Sequence, residues 1–358
     1  MTSKLCYSGR MTAKHVTRSI TLSDVARQAG VSRTTAAKVL LGTGGEHVRV
    51  SEKTRELVQK IADEVNYRPN RAAQQLRCAK SGLIGVLLDT VNTPVMFDRL
   101  SAIEDEAACH GYRLLIAQIR HSSNALAKHL AEMASYGVEG LVCLFDVNRK
   151  VRPQLAPLFE NWTNVVFHGA PIQPAGHCIR VDTVGAIRQS VAHLLDQGRL
   201  RIGMELWNMD DELMDLRAEG YQSEFVARTL QVDDSLVWAA HSRSARPTDE
   251  TIRRAVRYFM GEVQADAIIA SNDIWAVRFI QRLKAEGLRI PEDMAVIGYD
   301  NLELGTVIEP NLTTVDQCHE MYAEKLLQLM LRLIAGEQTA PSNRVCTVVP
   351  RLIVRASG

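Results

Sequence analysis

The sequence has no apolar run long enough to cross a membrane and no apolar stretch near its start of the kind that directs secretion. Its seven cysteines are scattered, and none is part of a CxxC pair. This pattern favours reduced thiols over a disulfide framework or a zinc site. We therefore expect a cytoplasmic protein without a metal or a cofactor.

Sequence motifs of the common catalytic sites are also missing. The chain contains no GxGxxG after a strand, no P-loop signature, no GxSxG and no HExxH, and its ten histidines are dispersed. These absences disfavour an enzyme, so we keep an α/β enzyme only as the third hypothesis.

Charge is divided unevenly along the chain. Up to Lys80 there are 15 lysines and arginines against 6 aspartates and glutamates, whereas the rest of the chain has 27 against 35. The formal net charge of +1 therefore hides a basic head and an acidic body. A basic head attracts a polyanion, and we expect its binding to weaken steeply with salt.

Residues 21–39 predict two short helices joined by a tight turn. Thr21 can cap the first helix and Ser32 the second, while Gly30 can adopt the left-handed conformation that ends a helix. The second helix is expected to turn outward a face of short or cationic side chains, namely Arg33, Thr34, Ala37 and Lys38. Such a helix fits the major groove of DNA, and an ordinary helical hairpin is the alternative.

A third helix is predicted to start at Ser51, with an apolar face of Leu57, Val58, Ile61, Ala62 and Val65. Pro69 ends it, and the segment that follows is too short to be a stable helix alone in water. We expect that segment to fold only when it is held against DNA and a second copy of itself. Residues 1–19 are interpreted as a flexible basic tail, with Met11 as an alternative start.

From Leu83 onward, short apolar runs alternate with helical periodicity, and the alternation begins again beyond Asp182. Continuous apolar strands between helices are typical of parallel sheets that are covered on both faces. Two such series predict two α/β lobes. Ligands of open parallel sheets bind beyond the carboxyl ends of the strands, so the cleft between the lobes is the predicted pocket.

Polar residues follow several of the predicted strands. Asn272 and Asp273 follow one strand, Asp300 follows another, and Arg217 lies near the start of a helix. Aspartate accepts hydrogen bonds from hydroxyl groups, whereas arginine and asparagine donate them, so this group suits a ligand with many hydroxyls. The alternative is that Asn272 and Asp273 only cap the next helix and that Asp300 only occupies a turn.

These residues resemble the lac repressor/Gal repressor (LacI/GalR) family of bacterial transcription regulators. The head carries Thr21-Leu22-x-Asp24-Val25-Ala26-x-x-Ala29-Gly30-Val31-Ser32-x-x-Thr35, and the linker carries Asn66-Tyr67-x-Pro69-Asn70-x-x-Ala73-x-x-Leu76. The body carries weaker motifs in the order of the family, such as Arg217-x-x-Gly220-Tyr221, Asn272-Asp273 and Gly298-Tyr299-Asp300. The resemblance spans about residues 20–355.

The resemblance implies a small all-α helix-turn-helix head and an α/β core of two parallel-sheet lobes, like periplasmic sugar-binding proteins. It divides the chain into a tail (1–19), a DNA-binding head (20–68), a hinge helix (69–80) and an effector-binding and dimerisation core (81–358). Within the core it places 81–181 and 318–345 in the N-lobe, and 182–317 and 346–358 in the C-lobe. It also implies at least a homodimer, and the lack of a heptad tail favours a dimer over a tetramer.

Functional residues carry over from the family by position. The predicted DNA-binding residues are Thr21, Ser32, Arg33, Thr34, Thr35, Lys38, Asn70, Ala73 and Leu76, and Leu76 matches the hinge leucine that wedges into a minor-groove step. The predicted effector-binding residues are Arg217, Asn272, Asp300 and Gln317, with His168, Trp207 and Trp275 as further candidates. His168 stands where an aspartate is frequent, and either tryptophan ring can stack on a sugar or pack within a lobe.

The head departs from the family at three places, one of which is Leu41, where asparagine is common. Ala36-Ala37 replaces a usual Val-Ser pair, which thins both the core and the polar face of the recognition helix. The loop 42–47 is longer than the family norm and rich in glycine. A standard operator sequence is therefore not expected.

The leading hypothesis is a DNA-binding transcriptional regulator, more specifically a repressor, that associates with the nucleoid when it binds its operator. A small molecule, expected to be a sugar or sugar derivative, binds between the lobes and changes the affinity for DNA. A purine-type corepressor is the alternative within this class. A solute-binding protein without DNA function is the alternative outside it.

Overall fold

The computed structural model describes residues 20–42, 49–67, 80–89, 95–120, 122–145, 147, 149–173, 175–207, 212–240 and 246–358. The chain forms two compact units, residues 1–80 and 81–358. No helix within the described ranges is both long enough and apolar enough to cross a membrane.

In its described residues, the first unit, the head, contains three helices, α1 (Leu22–Gln28), α2 (Arg33–Leu41) and α3 (Glu52–Glu64). Side chains cap all three: Thr21 and Asp24 form a capping box at α1, and Ser32 and Ser51 accept from the backbone at α2 and α3. Gly30 and Gly42 have φ of 64° and 66°, the left-handed conformation that redirects the chain after α1 and α2.

A small core joins the three helices of the head. Its buried members are Leu22, Val25, Ala26, Ala29, Ala36, Ala37, Val58 and Ala62. Ala37 was predicted on the outer face of α2 but is only 8% exposed, because two neighbouring alanines let α2 approach the other helices closely. Leu57 was predicted to be internal but is 46% exposed, since it lies beside the Val58–Ala62 stripe rather than within it.

The second unit, the core, alternates strands and helices as the sequence predicts. Its strands are β1 (Leu83–Leu88), β2 (Arg113–Gln118), β3 (Gly140–Leu144), β4 (Val165–His168), β5 (His177–Val181), β6 (Ile202–Leu206), β7 (Val237–Ala239), β8 (Ala267–Ile269), β9 (Ala295–Tyr299), β10 (Thr313–Asp316), β11 (Val345–Val348) and β12 (Arg351–Ile353). Its helices are α4 (Val95–Cys109), α5 (Ser123–Ser135), α6 (Arg152–Leu155), α7 (Thr183–Asp196), α8 (Glu212–Ala227), α9 (Asp249–Arg257), α10 (Asp273–Ala285) and α11 (His319–Ile334).

The strands form two six-stranded sheets, which define the N-lobe and the C-lobe. The first has the order β11-β5-β4-β3-β1-β2 and the second β12-β10-β9-β8-β6-β7. All pairs are parallel except β10 with β12. Buried apolar clusters cover both faces of each sheet, which explains the continuously apolar strands. The predicted fold class, two parallel-sheet lobes after a helical head, is confirmed.

The chain passes between the lobes three times, after β5, after β10 and after β11. Strand β11 pairs with β5, Val345 opposite Cys178 and Val348 opposite Val181. The last passage therefore follows Val348, three residues later than the predicted boundary. The passage after β10 carries Gln317 to the junction of the two lobes.

Candidate functional site

The N-terminal end of α2 presents exposed polar side chains. Arg33 and Thr34 are exposed, and neither contributes to the core of the head. Ser32 is exposed as well, and its hydroxyl accepts a hydrogen bond from the Thr35 backbone at 3.0 Å. A short helix that begins with exposed cationic and hydroxyl groups has the chemistry to contact phosphates and base edges.

The other predicted DNA contacts differ in their setting. Thr21 is the exposed cap of α1, with its hydroxyl 2.6 Å from Asp24 Oδ2. Thr35 and Lys38 are partly buried on α2. The three predicted hinge residues, Asn70, Ala73 and Leu76, lie outside the described residues. Thr21 and Ser32 therefore have a structural task, as caps, beside any contact with DNA.

In the C-lobe, Arg217 lies at the carboxyl ends of the strands. It is only 4% exposed, and its guanidinium carbon lies 4.0 Å from the centroid of the Tyr299 ring. Its Nη1 donates to the Ser271 carbonyl oxygen at 2.6 Å, in the turn that follows β8. The predicted convergence of Arg217 with the ends of β8 and β9 is present in the structure.

Asn272 and Asp273 hold this edge of the sheet together. Asn272 Oδ1 accepts from the Trp275 backbone at 3.0 Å and so caps α10. Asp273 accepts from the Leu302 backbone at 2.6 Å and from the Thr314 hydroxyl at 2.5 Å. The cap interpretation of Asn272 therefore describes a real contact, and Asp273 fixes the loop that follows β9.

Asp300 connects the C-lobe to the interlobe passage. It has φ of 113°, and the next residue, Asn301, has φ of 53°. Both values lie in the left-handed region, which is uncommon for residues other than glycine and concentrates at functional sites. Gln317 Nε2 donates to Asp300 Oδ1 at 2.6 Å. The structure thus brings two predicted effector residues into direct contact.

Arg99 of α4, which sequence reasoning did not single out, extends this contact into the N-lobe. Its Nη2 donates to Gln317 Oε1 at 2.6 Å, and its Nη1 lies 3.1 Å from His168 Nε2. Its guanidinium also stacks 4.4 Å from the centroid of the Tyr322 ring. Arg99 is 1% exposed, so an arginine on an amphipathic helix is here a buried group at the lobe junction.

His168 ends β4 beside Arg99, where it was predicted. Its Nδ1 lies 3.0 Å from the Tyr322 hydroxyl. A neutral imidazole with the proton on Nδ1 satisfies both contacts, since Nε2 then accepts from Arg99. Burial and the charge of Arg99 lower the pKa of His168 well below its ordinary value. We therefore assign His168 as a neutral acceptor.

Glu205 of β6 is a second functional candidate that the sequence analysis missed. It is fully buried, and its Oε2 accepts from the Ser271 backbone at 2.9 Å and from the Ser271 hydroxyl at 2.5 Å. Burial raises the pKa of Glu205 to about 7. The sequence did offer a sign of this role, because Glu205 is the only acidic residue in the otherwise apolar strand β6. Strand β6 pairs with β8, which leads to Ser271.

The two tryptophans that were predicted to stack on a ligand, Trp207 and Trp275, lie in different environments. Trp207 follows β6 and is partly buried against both apolar clusters of the C-lobe. Trp275 is fully buried, with ring centroids 6.3 Å from Trp238 and 5.8 Å from Phe279. Because Trp275 lies one turn before Phe279 on the inner face of α10, it has no face open to a sugar ring, and that prediction is wrong.

Two surface depressions lie away from the strand ends. One of about 530 Å³ is bounded by β2 and α5, and another of about 610 Å³ lies along α8. Neither contains any of the buried ionisable groups described above. The lobe junction therefore remains the candidate effector site.

Comparison with known proteins finds one match in the head and one in the core. Residues 21–70 match the lacI family of bacterial regulatory proteins, and residues 191–358 match the periplasmic binding protein-like domain. The HTH-type transcriptional repressor PurR of Vibrio vulnificus (strain CMCP6) is 27% identical over 337 residues, which cover 94% of this chain and 97% of that protein.

Solved structures show the same fold. The lac repressor dimer bound to operator and the anti-inducer ONPF has a TM-score of 0.79 and 23% identity, covering 95% of this chain and 99% of that one. The complex of the transcriptional regulator CelR with cellobiose has a TM-score of 0.67 and 25% identity, covering 95% and 100%. With its matched head, its matched core and its full-length similarity to a repressor, the chain has the two domains of a LacI/GalR-family transcriptional regulator.

Proposed function

We propose that the protein is a transcriptional repressor that binds operator DNA as a homodimer and responds to a small-molecule effector held between its two lobes. It acts in the cytoplasm, on the nucleoid, without catalysing a reaction. The observation that carries the proposal is the joint presence of a capped helix-turn-helix and a buried polar junction between two lobes. The similarity to a PurR repressor and to an operator-bound repressor dimer supports it.

Operator contact is proposed through the exposed start of α2. Arg33→Ala removes a cation without touching the core of the head, so operator affinity is expected to fall by about 10- to 100-fold with a smaller salt slope. Arg55→Ala is the matched control, because Arg55 is an exposed arginine on α3. Gel-shift titrations against the DNA upstream of the chain's own gene measure both. Equal losses in the two variants argue against a recognition role for Arg33.

The hinge remains a separate proposal, since Asn70, Ala73 and Leu76 lie outside the described residues. A leucine that wedges between bases unstacks one step and bends the duplex, which only a specific site can hold in register. Leu76→Ala is therefore expected to weaken specific operator binding far more than non-specific binding. If affinity falls equally for operator and for non-specific DNA, Leu76 does not act as a wedge.

Effector control is proposed at the lobe junction. Among the described residues, the lobes are joined there by Arg99 with Gln317, which in turn contacts Asp300, and by the ion pair between Arg152 and Glu212. A ligand that favours one arrangement of the lobes shifts the equilibrium only by its difference in affinity for the two states. Arg217 and Asp300 are positioned to supply that difference, with Gln317, Asn272, His168 and Trp207 as further candidate contacts.

A hydroxylated ligand, a sugar or sugar derivative, fits this chemistry best. The side chains at the junction combine carboxylate and amide acceptors with guanidinium donors, and a solved relative is complexed with cellobiose. A purine-type corepressor is the alternative. A thermal-shift screen of sugars, sugar acids and nucleobases separates the two classes.

The decisive variants are Asp300→Ala and Arg217→Ala. Each is expected to abolish the effector response in gel shifts while leaving operator binding in the uncontrolled state intact. Arg253→Ala, an exposed arginine on α9, is the control. If a variant still responds fully to the effector, the substituted residue is not part of the effector site. If the wild-type chain does not bind its upstream DNA, the repressor function itself is contradicted.

A further inference from the structure

Buried polar atoms without a partner concentrate at the lobe junction. In the part of the chain that the structure describes, seven buried side-chain nitrogen or oxygen atoms have no hydrogen-bond partner. Five of them belong to Arg99, Glu205, Arg217 and His319, and His319 contributes both ring nitrogens. Such atoms are costly to leave unpaired, so their concentration at one place marks a site that a ligand completes.

Arg99 is the strongest anomaly in this group. Its contacts are a histidine, a glutamine, a methionine sulfur and a tyrosine ring, all of them neutral. Among the described residues, no carboxylate oxygen lies within 4.0 Å of its guanidinium. Arginine stays protonated in proteins, and a buried cation without a counter-ion is unfavourable. An anion at this point removes the penalty.

His319 lies next to Arg99 at the start of α11. Both of its ring nitrogens are buried and unpartnered. Burial and the neighbouring charge of Arg99 lower the pKa of His319 to about 4. A neutral imidazole has one N–H to donate, and α11 begins at His319 without a side-chain cap from Cys318. Each of these groups favours an acceptor with negative charge.

The C-lobe side of the junction has the opposite character. Arg217 is present there, but Asp300, Glu205 and Asp273 are also present. The charge of Arg217 acts on both Glu205 and Asp300, and the charge of Arg99 also acts on Asp300, without a direct ion pair. Carboxyl oxygens accept hydrogen bonds from ligand hydroxyls. The N-lobe side and the C-lobe side of the junction therefore suit different ends of a polar ligand.

We propose that the effector is an anionic polyol whose carboxylate or phosphate group binds at Arg99 and His319 in the N-lobe, while its hydroxyl groups face Arg217 and Asp300 in the C-lobe. This inference rests on the proposed effector-controlled function and narrows its ligand class. It separates the ligand from neutral sugars and from free purine bases.

The competing interpretation makes Arg99 a structural brace, because Arg99, Gln317 and Asp300 form a continuous chain of hydrogen bonds between the lobes. Arg99→Met distinguishes the two. Removing the guanidinium leaves Gln317 Oε1 and His168 Nε2 without their donor, so the ligand-free Tm is expected to fall under either interpretation. Only a ligand site predicts that Arg99→Met also loses the gain in Tm that an anion gives, whereas a brace leaves that gain intact.

The first measurement uses orthophosphate as the probe. The Tm of the full-length protein is followed in sodium phosphate and in sodium chloride at equal ionic strength. The wild-type chain and the surface control Arg253→Gln are expected to gain stability in phosphate, whereas Arg99→Met gains none and Arg99→Lys retains part of the gain. Phosphate bound to the basic head affects all variants equally and cancels in this comparison.

The second measurement compares matched ligands by calorimetry: D-gluconate, D-glucose 6-phosphate and neutral D-glucose. One of the two anions is expected to bind at least about tenfold more tightly than glucose, the advantage of a charge-assisted hydrogen bond. Preference for gluconate identifies a carboxylate, and preference for glucose 6-phosphate identifies a phosphate. Arg99→Met removes the preference.

The proposal is overturned if phosphate stabilises Arg99→Met as much as the wild type. It is also overturned if wild-type protein gains nothing from phosphate, or if glucose binds as tightly as both anions. In each case, operator binding in gel shifts reports separately on the repressor function. A chain that binds its operator and releases it with a neutral ligand leaves that function standing while this inference fails.

Discussion

The head and the core place their functional side chains in opposite environments. Arg33 and Thr34 of the head are exposed and contribute nothing to its small core. Arg99, Arg217 and Asp300 of the core are each less than one-tenth exposed and are joined to other buried groups. Substitutions in the exposed set are therefore expected to change binding alone, whereas substitutions in the buried set change binding and folding together.

The largest effect is expected for Gly298→Ala in β9, just before Tyr299. A Cβ atom at Gly298 overlaps Asp273 Oδ1 and lies 2.8 Å from Leu312 Cδ2. We expect the free energy of unfolding of the core to fall by about 1–3 kcal/mol, the usual range for overpacking. The effector response is expected to weaken as well, because Asp273 holds the loop that follows Asp300. Urea titration of the full-length chain measures the loss.

Gly261→Ala is the matched control for that prediction. Nothing lies within 4 Å of a Cβ at Gly261, and its φ is not in the left-handed region. Its effect is expected to stay within about 1 kcal/mol, and a small gain is consistent with reduced freedom of the unfolded chain. Equal losses in the two variants contradict the tight packing that we assign to the buried site.

The same contrast explains how far the sequence could be read. The capped helices of the head follow from local chemistry, since Thr21 and Ser32 bond to residues three positions away. The alternating strands and helices of the core follow from hydrophobic periodicity. Strands β5, β7, β10, β11 and β12 were not predicted. His177 and Arg180 break the apolar run in β5, and β7 and β12 have only three residues each.

The buried site was only partly predictable. Arg217, Asp300 and Gln317 were found because they follow strands or match a family pattern. Arg99 was missed because one arginine on an amphipathic helix is normally solvated, and its burial depends on Gln317, which lies 218 positions away. Trp275 was misplaced for a related reason, since its position near a strand end gave no sign of the direction of its ring.

A smaller effect is expected from pH, and it is confined to the core. Burial raises the pKa of Glu205 and Asp300 to about 7 and that of Asp273 to about 8. In the unfolded chain these groups titrate near pH 4, so the folded core holds more protons between the two values. The free energy of unfolding therefore falls as pH rises, for as long as these groups stay protonated in the folded chain.

Two histidines oppose this trend at lower pH. The pKa values of His168 and His319 are lowered, so below about pH 6.5 the unfolded chain binds more protons at these positions and stability rises with pH. The fall in the free energy of unfolding is consequently clearest between about pH 6.5 and 8. Urea titrations across this window in Asp273→Asn are expected to show a shallower slope than the wild type. If the slope of the free energy of unfolding against pH is unchanged, Asp273 does not contribute to this pH dependence.

The smallest effect is expected in the head, where one exposed residue also has a structural task. Ser32→Ala removes the cap of α2, which costs about 1 kcal/mol of helix stability, whereas Thr34→Ala removes an exposed hydroxyl with no cap contact. Hydrogen exchange of the α2 amides is expected to quicken in Ser32→Ala only, while operator affinity falls in both. Thr34→Ala is thus expected to lower operator affinity without lowering the stability of α2, whereas Ser32→Ala lowers both. An exposed side chain can therefore still contribute to the stability of the fold. Quickened exchange in Thr34→Ala as well would show that the whole start of α2 is coupled to the fold of the head, as the buried site is coupled to the fold of the core.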